Sequence, residues 1–239
     1  MNEYISILDV SNYICLFDDI GQKSGMKFKM GENFEEYVEI TTNAAGKSPT
    51  QPHFQPDSSR LEPGRAFWIV GEDQSGKVAH VQALRVDDLK TTNLAEHLES
   101  LEACYADPKI QARSGSSCVC RAPTARNITR LVAYQGDIWL REDFRGQGLP
   151  RTFSRIAFGL AWAKWSPDFI YALVPNWSIE KGVADQYGYL HREAQVVLSL
   201  PDLGIEDDDW LIWLTRRELS QLIKGTVAKT PAGLSDWGE

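Results

Sequence analysis

Asp137-Ile138-Trp139-Leu140-Arg141-Glu142-Asp143-Phe144-Arg145-Gly146-Gln147-Gly148-Leu149-Pro150-Arg151 carries a short apolar strand into a turn, two glycines and the start of a helix. Gly146 and Gly148 allow the backbone to approach a ligand closely, and a helix that begins behind them offers unpaired N–H groups and the positive end of its dipole. Arg145 and Arg151 add fixed positive charge on either side. The stretch therefore predicts an anion site.

Two common anion loops do not fit it. A dinucleotide fingerprint needs a third glycine at position 151, which is Arg, and its strand enters the glycines almost directly, whereas five turn residues intervene after Leu140. A phosphate loop needs Gly-Lys-Ser or Gly-Lys-Thr, and neither occurs.

Working outward, Phe153, Ile156, Ala157, Leu160 and Ala161 make one face of a helix that Ser166-Pro167 ends. Phe169 to Val174 is almost wholly apolar, as a central strand covered on both faces must be. A helix from Ser178 to Tyr187, a strand from Tyr189 to Leu200 bent near Arg192-Glu193, and a strand at Trp210 to Leu214 follow, and Thr215 with Glu218 has capping-box spacing for a last helix to Lys224. Upstream, Ile128 to Tyr134 reads as a strand that Gln135-Gly136-Asp137 turns. Ala66 to Glu72 and Val78 to Val86 form a hairpin around Asp73-Gln74-Ser75-Gly76.

Nearer the start, Tyr4 to Val10 reads as a strand, Ser11 as the cap of a helix to Ile20, and Phe34, Tyr37, Val38 and Thr41 as a second amphipathic helix. Residues 43–64 collect six Pro and Gly among polar residues and His53, a long irregular loop. Leu94, His97, Leu98, Leu101 and Tyr105 form a helix stripe ending before Pro108, and Cys118-Val119-Cys120 a short strand. One domain over 1–224, with an insertion at about 87–127 and a loose tail at 225–239, is the expected organisation.

Of the 239 residues, 43% are hydrophobic and 24% charged, and no apolar run reaches the roughly 18 residues of a membrane helix. A net charge of −8 argues against a nucleic-acid partner, which would require a basic face. No basic leader precedes a long apolar run, and four cysteines make no disulfide framework, so a reducing, cytoplasmic location is expected and no membrane partner. Cys118 and Cys120 lack a second ligand pair, so no metal is expected.

Arg145-Gly146-Gln147-Gly148-Leu149-Pro150 resembles the acyl-CoA motif of the GCN5-related N-acetyltransferase (GNAT) superfamily: Gln or Arg, two residues, Gly, one residue, Gly or Ala. The order that follows, long helix, apolar strand, Asn176, short helix, Gly188-Tyr189 and strand, is similar to the family's second conserved block, and the 66–86 hairpin resembles its second and third strands. The resemblance covers about Ala66 to Leu214. It implies a GNAT-like α/β fold, a twisted mixed sheet of about seven strands with helices on both faces. It also implies acetyl-CoA or another acyl-CoA as cosubstrate, its pyrophosphate on the backbone of Arg145, Gly146, Gln147 and Gly148 and its pantetheine arm beside Trp139, Leu140 and Arg141, with Pro150, Arg151 and Asn176 completing the site.

The implied activity is N-acylation of a small-molecule or peptide amine by direct attack on the thioester, in a chain that could form a homodimer. Two departures stand out. Pro150 replaces a small residue and removes one N–H donor, and Ala184 occupies the place of the tyrosine that often protonates the departing thiolate. Tyr187, one turn away on the same helix, is the substitute candidate. As general base, Asp137 comes first and His80 second. The alternative is a non-catalytic acyl-CoA-binding or interaction protein on the same fold; a donor such as aminoacyl-tRNA is disfavoured by the acidic charge.

Overall fold

A computed structural model describes residues 5–228. Its centre is an eight-stranded sheet in the order β1-β2-β3-β5-β6-β8-β7-β4, one strand more than anticipated. The strands are β1 (Met26–Gly31), β2 (Ala66–Asp73), β3 (Val78–Leu89), β4 (Ser117–Cys120), β5 (Arg130–Leu140), β6 (Phe169–Pro175), β7 (His191–Leu200) and β8 (Ile205–Thr215). Every pairing is antiparallel except β5 with β6, which the long helix between them makes possible.

One face of the sheet packs against α1 (Ile7–Lys23), α5 (Leu149–Trp165) and α8 (Arg216–Val227), burying Tyr13, Phe17, Phe67, Ile69, Phe158, Ile170 and Leu214 together. The other face is covered by α2 (Phe34–Asn43), the 43–64 loop and the inserted segment, whose Leu94, Leu98, Cys104 and Cys118 share one cluster with Val81, Tyr134 and Trp213. Purely apolar β6 is explained by this double cover. No helix among the described residues is long and apolar enough to cross a membrane.

The expected first strand is a helix from Ile7 on. Ser6 accepts from the Asp9 N–H while the Asp9 carboxylate accepts from the Ser6 N–H, a complete capping box, and Val10, Tyr13, Phe17 and Gly21 then lie on one buried face. The β-branched residues near the start were local preference without a partner strand; Tyr4 lies outside the described residues. β1, unforeseen, occupies the edge that this strand would have taken.

The insertion contributes α3 (Leu94–Glu99) and α4 (Pro108–Gln111) before crossing to the far edge of the sheet, where β4 pairs with β7. The expected helix to Tyr105 stops at Glu99 because Leu101 adopts φ 62, a left-handed conformation that no α-helix continues through. Similarly, the helix expected over 178–187 is two short ones, α6 (Asn176–Glu180) and α7 (Val183–Tyr187), separated at Gly182 with φ 67. β7 is bent as anticipated, with a register shift between Glu193 and Val196. Thr215 and Glu218 cap α8 reciprocally, and that helix extends past the expected start of the tail to Val227; residues 229–239 lie outside the described range.

Candidate active site

The 135–137 segment, read as a turn, is instead a bulge within one continuous strand. Val81 faces Trp139 and Ala83 faces Gly136, so Gln82 stands opposite two residues, Asp137 and Ile138, and Asp137 takes φ 53. A β-carbon at Gly136 would lie 2.6 Å from the Tyr134 phenol, which is why glycine precedes the bulge. β5 and β6 are paired only through Val132, Ala133 and Tyr134 with Phe169, Ile170 and Tyr171. Past the bulge the two parallel strands separate, and a gap opens between them.

At the mouth of that gap, β5 runs through Glu142–Phe144 into the N-terminus of α5. Gly148 is the N-cap at φ 71, brings no capping side chain, and Gly146 is at φ 77; a β-carbon on either would meet nothing within 4 Å. Leu149 and Phe153 anchor the helix start against Leu140 and Phe144. The loop is thus open, solvent-facing and rich in N–H donors at a helix start, the chemistry that a pyrophosphate needs. Pro150 sits at the second helical position, where the missing N–H costs the helix nothing but leaves one donor fewer for a ligand.

Several side chains named for this site are already engaged. Arg141 donates to Asp143 at 2.7 Å and to Asp73 at 2.6 Å, and these carboxylates hold its guanidinium charged. Arg145 Nε donates to the Leu140 carbonyl, and Gln147 Nε2 to the Asp143 carbonyl; both residues stay exposed, as does Arg151. Asn176, at the end of β6, donates to Glu180 and accepts from the Trp210 indole. Trp139 donates through its indole to the Gly46 carbonyl. The Arg141 N–H is spent on the Ala79 carbonyl of β3, so by strand alternation it is the Leu140 N–H that points toward the gap.

Neither expected base is placed to take a proton. Asp137 is buried, Oδ1 accepting from Lys47 Nζ at 2.7 Å and the Gln51 N–H at 3.3 Å, and Oδ2 accepting from the Tyr37 hydroxyl at 2.8 Å. Burial pushes its pKa up, opposed by Lys47 and Tyr37. His80 is fully buried, its Nδ1 against the Trp139 carbonyl at 2.8 Å and its ring stacked on Phe153 at 3.8 Å; desolvation lowers its pKa to about 3, so it stays neutral. The sequence could not show this, since burial depends on α5 and the 43–64 loop closing over both residues.

Tyr187 belongs to an apolar cluster that also holds Ala184 and Val174 of β6, with Ile138 packed against it, and burial raises its phenol to about 12. Beside it, the Tyr189 hydroxyl donates to Gln135 Oε1 at 2.7 Å, while Gln135 Nε2 donates to Gln82 Oε1.

On the opposite face of the sheet lies a cavity of about 1060 Å³ that sequence reasoning missed. Tyr134, the last residue of β5 paired with β6, and Leu173 of β6 form its inner wall; His53 and Gln51 come from the 43–64 loop, and Asp207 and Asp209 from β8. Burial and the neighbouring Asp207 and Asp208 raise Asp209 to about 7. Alternation along Ile205, Asp207, Asp209 and Leu211 was the signal available in the sequence, once β8 is known to start at Ile205 and not at Trp210.

No family model matches this chain, and no curated protein matches it. Among solved structures, a spermidine N-acetyltransferase from Vibrio cholerae in complex with CoA and spermine is similar at 10% identity and TM-score 0.44, over 82% of this chain and 98% of that one. The spermidine/spermine N-acetyltransferase SpeG from Vibrio cholerae in complex with manganese ions gives 11% and 0.48, over 85% and 98%. The dodecameric form of the same organism's enzyme in an intermediate state gives 10% and 0.47, over 85% and 99%.

Proposed function

We propose that this protein is an acyl-CoA-dependent N-acyltransferase, most simply using acetyl-CoA, that acts on an amine. The observation that carries the reading is the separation of β5 from β6 at the Asp137 bulge, with an uncapped glycine loop at one end of the gap and a large cavity across the sheet. An acyl-CoA supplies an activated thioester. The Arg145 N–H is spent on the Glu142 carbonyl, so the N–H groups of Gly146, Gln147 and Gly148 would hold its pyrophosphate, and the Leu140 N–H faces the gap in which the acyl carbonyl needs a donor. Arg145 and Arg151, both exposed, add screened charge only.

Tyr187 is protonated at neutral pH and lies beside the gap, as an acid for the departing thiolate must be. Asp137 is assigned a positioning role: with Lys47, Tyr37 and Gln51 it straps the 43–64 loop over the bulge.

Calorimetric titration with acetyl-CoA and with desulfo-CoA, joined to turnover over a panel of amines, tests this. Micromolar to millimolar CoA binding with amide formation supports the reading; no CoA binding at millimolar concentration defeats it. One observation favours a second reading, a non-catalytic acyl-CoA-binding protein: buried Ala184 leaves the family's usual acid absent. Tight CoA binding with no transfer to any amine would select that reading.

A further inference from the structure

The turn that follows Tyr187 is held by a chain of buried amides. Tyr189 donates its hydroxyl to Gln135 Oε1 at 2.7 Å, Gln135 Nε2 donates to Gln82 Oε1 at 2.7 Å, and Gln82 Nε2 donates to the Phe153 carbonyl of α5 at 3.0 Å. Both glutamines are 0% exposed. A backbone carbonyl only accepts, so the Phe153 oxygen fixes which way each amide points, and the run of donors ends at the tyrosine. The single Tyr189 hydroxyl proton is therefore committed to Gln135. Bonds aligned head to tail in this way polarise and strengthen one another.

The chain ties together elements that border the gap. Gln82 belongs to β3 and stands opposite the bulge, Gln135 precedes the bulge on β5, Phe153 lies one turn into α5 from the glycine loop, and Tyr189 leads from α7 towards β7. Tyr187 has no such anchor of its own. Its phenol makes no hydrogen bond among the described residues, and α7 is five residues long between two left-handed glycines, Gly182 at φ 67 and Gly188 at φ 82. A β-carbon at Gly188 would lie 2.6 Å from Arg155 Nη2, so the turn is pressed against α5. The Arg192–Asp185 ion pair at 3.2 Å is exposed on both sides and adds little. Among the described residues, Tyr189 thus makes the one buried side-chain hydrogen bond of the 182–190 segment.

Resting on the N-acyltransferase reading, we infer that Gln135 and Tyr189 are positioning residues: through the turn at Gly188 they hold the Tyr187 phenol in the place where it meets the departing thiolate, and Gln82 ties that place to the start of α5. Neither residue exchanges a proton in the reaction. Of the two tyrosines flanking Gly188, Tyr189 has its proton engaged by an acceptor and Tyr187 does not, and an amide such as Gln135 does not titrate. The Tyr189 ring has a second support, meeting Phe158 of α5 edge to face at 5.1 Å. Loss of the hydroxyl alone therefore leaves the ring packed and cuts only the chain.

The test uses the full protein and two variants that cut the chain at different links. Tyr189→Phe removes the first donor, and Gln135→Met replaces the middle amide by an apolar side chain of similar length. Each is expected to lower kcat at least tenfold with KM for acetyl-CoA changed less than twofold. Wild-type kcat in either variant, or a loss confined to KM, overturns the inference. Added to Tyr187→Phe, Tyr189→Phe is expected to lower kcat less than twofold further, because the hydroxyl it positions is already gone. A further tenfold loss in that double variant overturns the inference as well. Hydrogen exchange gives a reading free of turnover: Tyr189→Phe is expected to speed exchange across residues 183–190 at least tenfold and across α5 less than twofold. Unchanged exchange overturns the tether, whatever the outcome with acetyl-CoA. A wild type that neither binds nor turns over acetyl-CoA overturns the acyltransferase reading, and the exchange measurement then decides the tether by itself.

Discussion

Lys47 Nζ and Asp137 Oδ1, ninety positions apart in sequence, meet at 2.7 Å with each side chain 2% exposed. This pair fastens the 43–64 loop to the bulge that opens the sheet. Removing one member of a buried pair strands the other charge, so Lys47→Met should cost about 3–5 kcal/mol. Urea unfolding measures it. Asp137→Asn added to Lys47→Met should recover part of the loss, and a double variant no better than the single one would show that the pair does not act as a unit.

Gly148→Trp should abolish acetyl-CoA binding while the protein stays folded. Its φ of 71 strains any side chain by about 1–2 kcal/mol, yet the space around a β-carbon there is empty, so no core is disturbed. Calorimetry reads the affinity and circular dichroism the fold. Unchanged affinity would place the pyrophosphate elsewhere.

Tyr187→Phe keeps the packing against Ile138 and Val174 and removes only the hydroxyl. If the phenol protonates the thiolate, kcat should fall at least tenfold, about 1.4 kcal/mol of barrier. A rate equal to the wild type would return Tyr187 to the apolar cluster as a packing residue.

Acid should unfold the protein through its buried histidines. In the folded state His80 titrates near 3, whereas an unfolded histidine titrates near 6.5. Between those values the unfolded chain binds the additional proton, so stability present above pH 6.5 is lost as pH falls toward 3, at about 1.4 kcal/mol per pH unit. His53 adds an equal slope. His80→Phe should flatten the stability–pH curve between pH 6 and 4 by that one slope, measured by urea unfolding at several pH values; an unaltered slope would mean that His80 is protonated in the folded state.

Local patterning carried much of this fold. The 66–86 hairpin, the helix face of Phe153, Ile156 and Ala157, the apolar Phe169–Val174 strand and the Thr215 capping box are contacts between residues a few positions apart, and periodicity reports them directly. Misreadings fell where local preference competes with a distant partner. The β-branched start became a helix through the Ser6–Asp9 box, and Gln135-Gly136-Asp137, a turn by composition, stayed in the strand because Gln82 and Lys47 hold it there.

By itself the sequence determined the glycine loop: Gly146 and Gly148 are needed because only glycine takes positive φ freely, and a helix had to follow. Tertiary structure alone decided which titratable groups stay accessible around it. Asp137 and His80 were the expected bases, yet both are sealed in by chain segments far away in sequence. Asp209 reaches the other side of the gap only because β8 inserts between β6 and β7, and among the described residues no cation pairs with its carboxylate. Proton affinity depends on desolvation and neighbouring charge, and both are set by which surfaces the fold brings together.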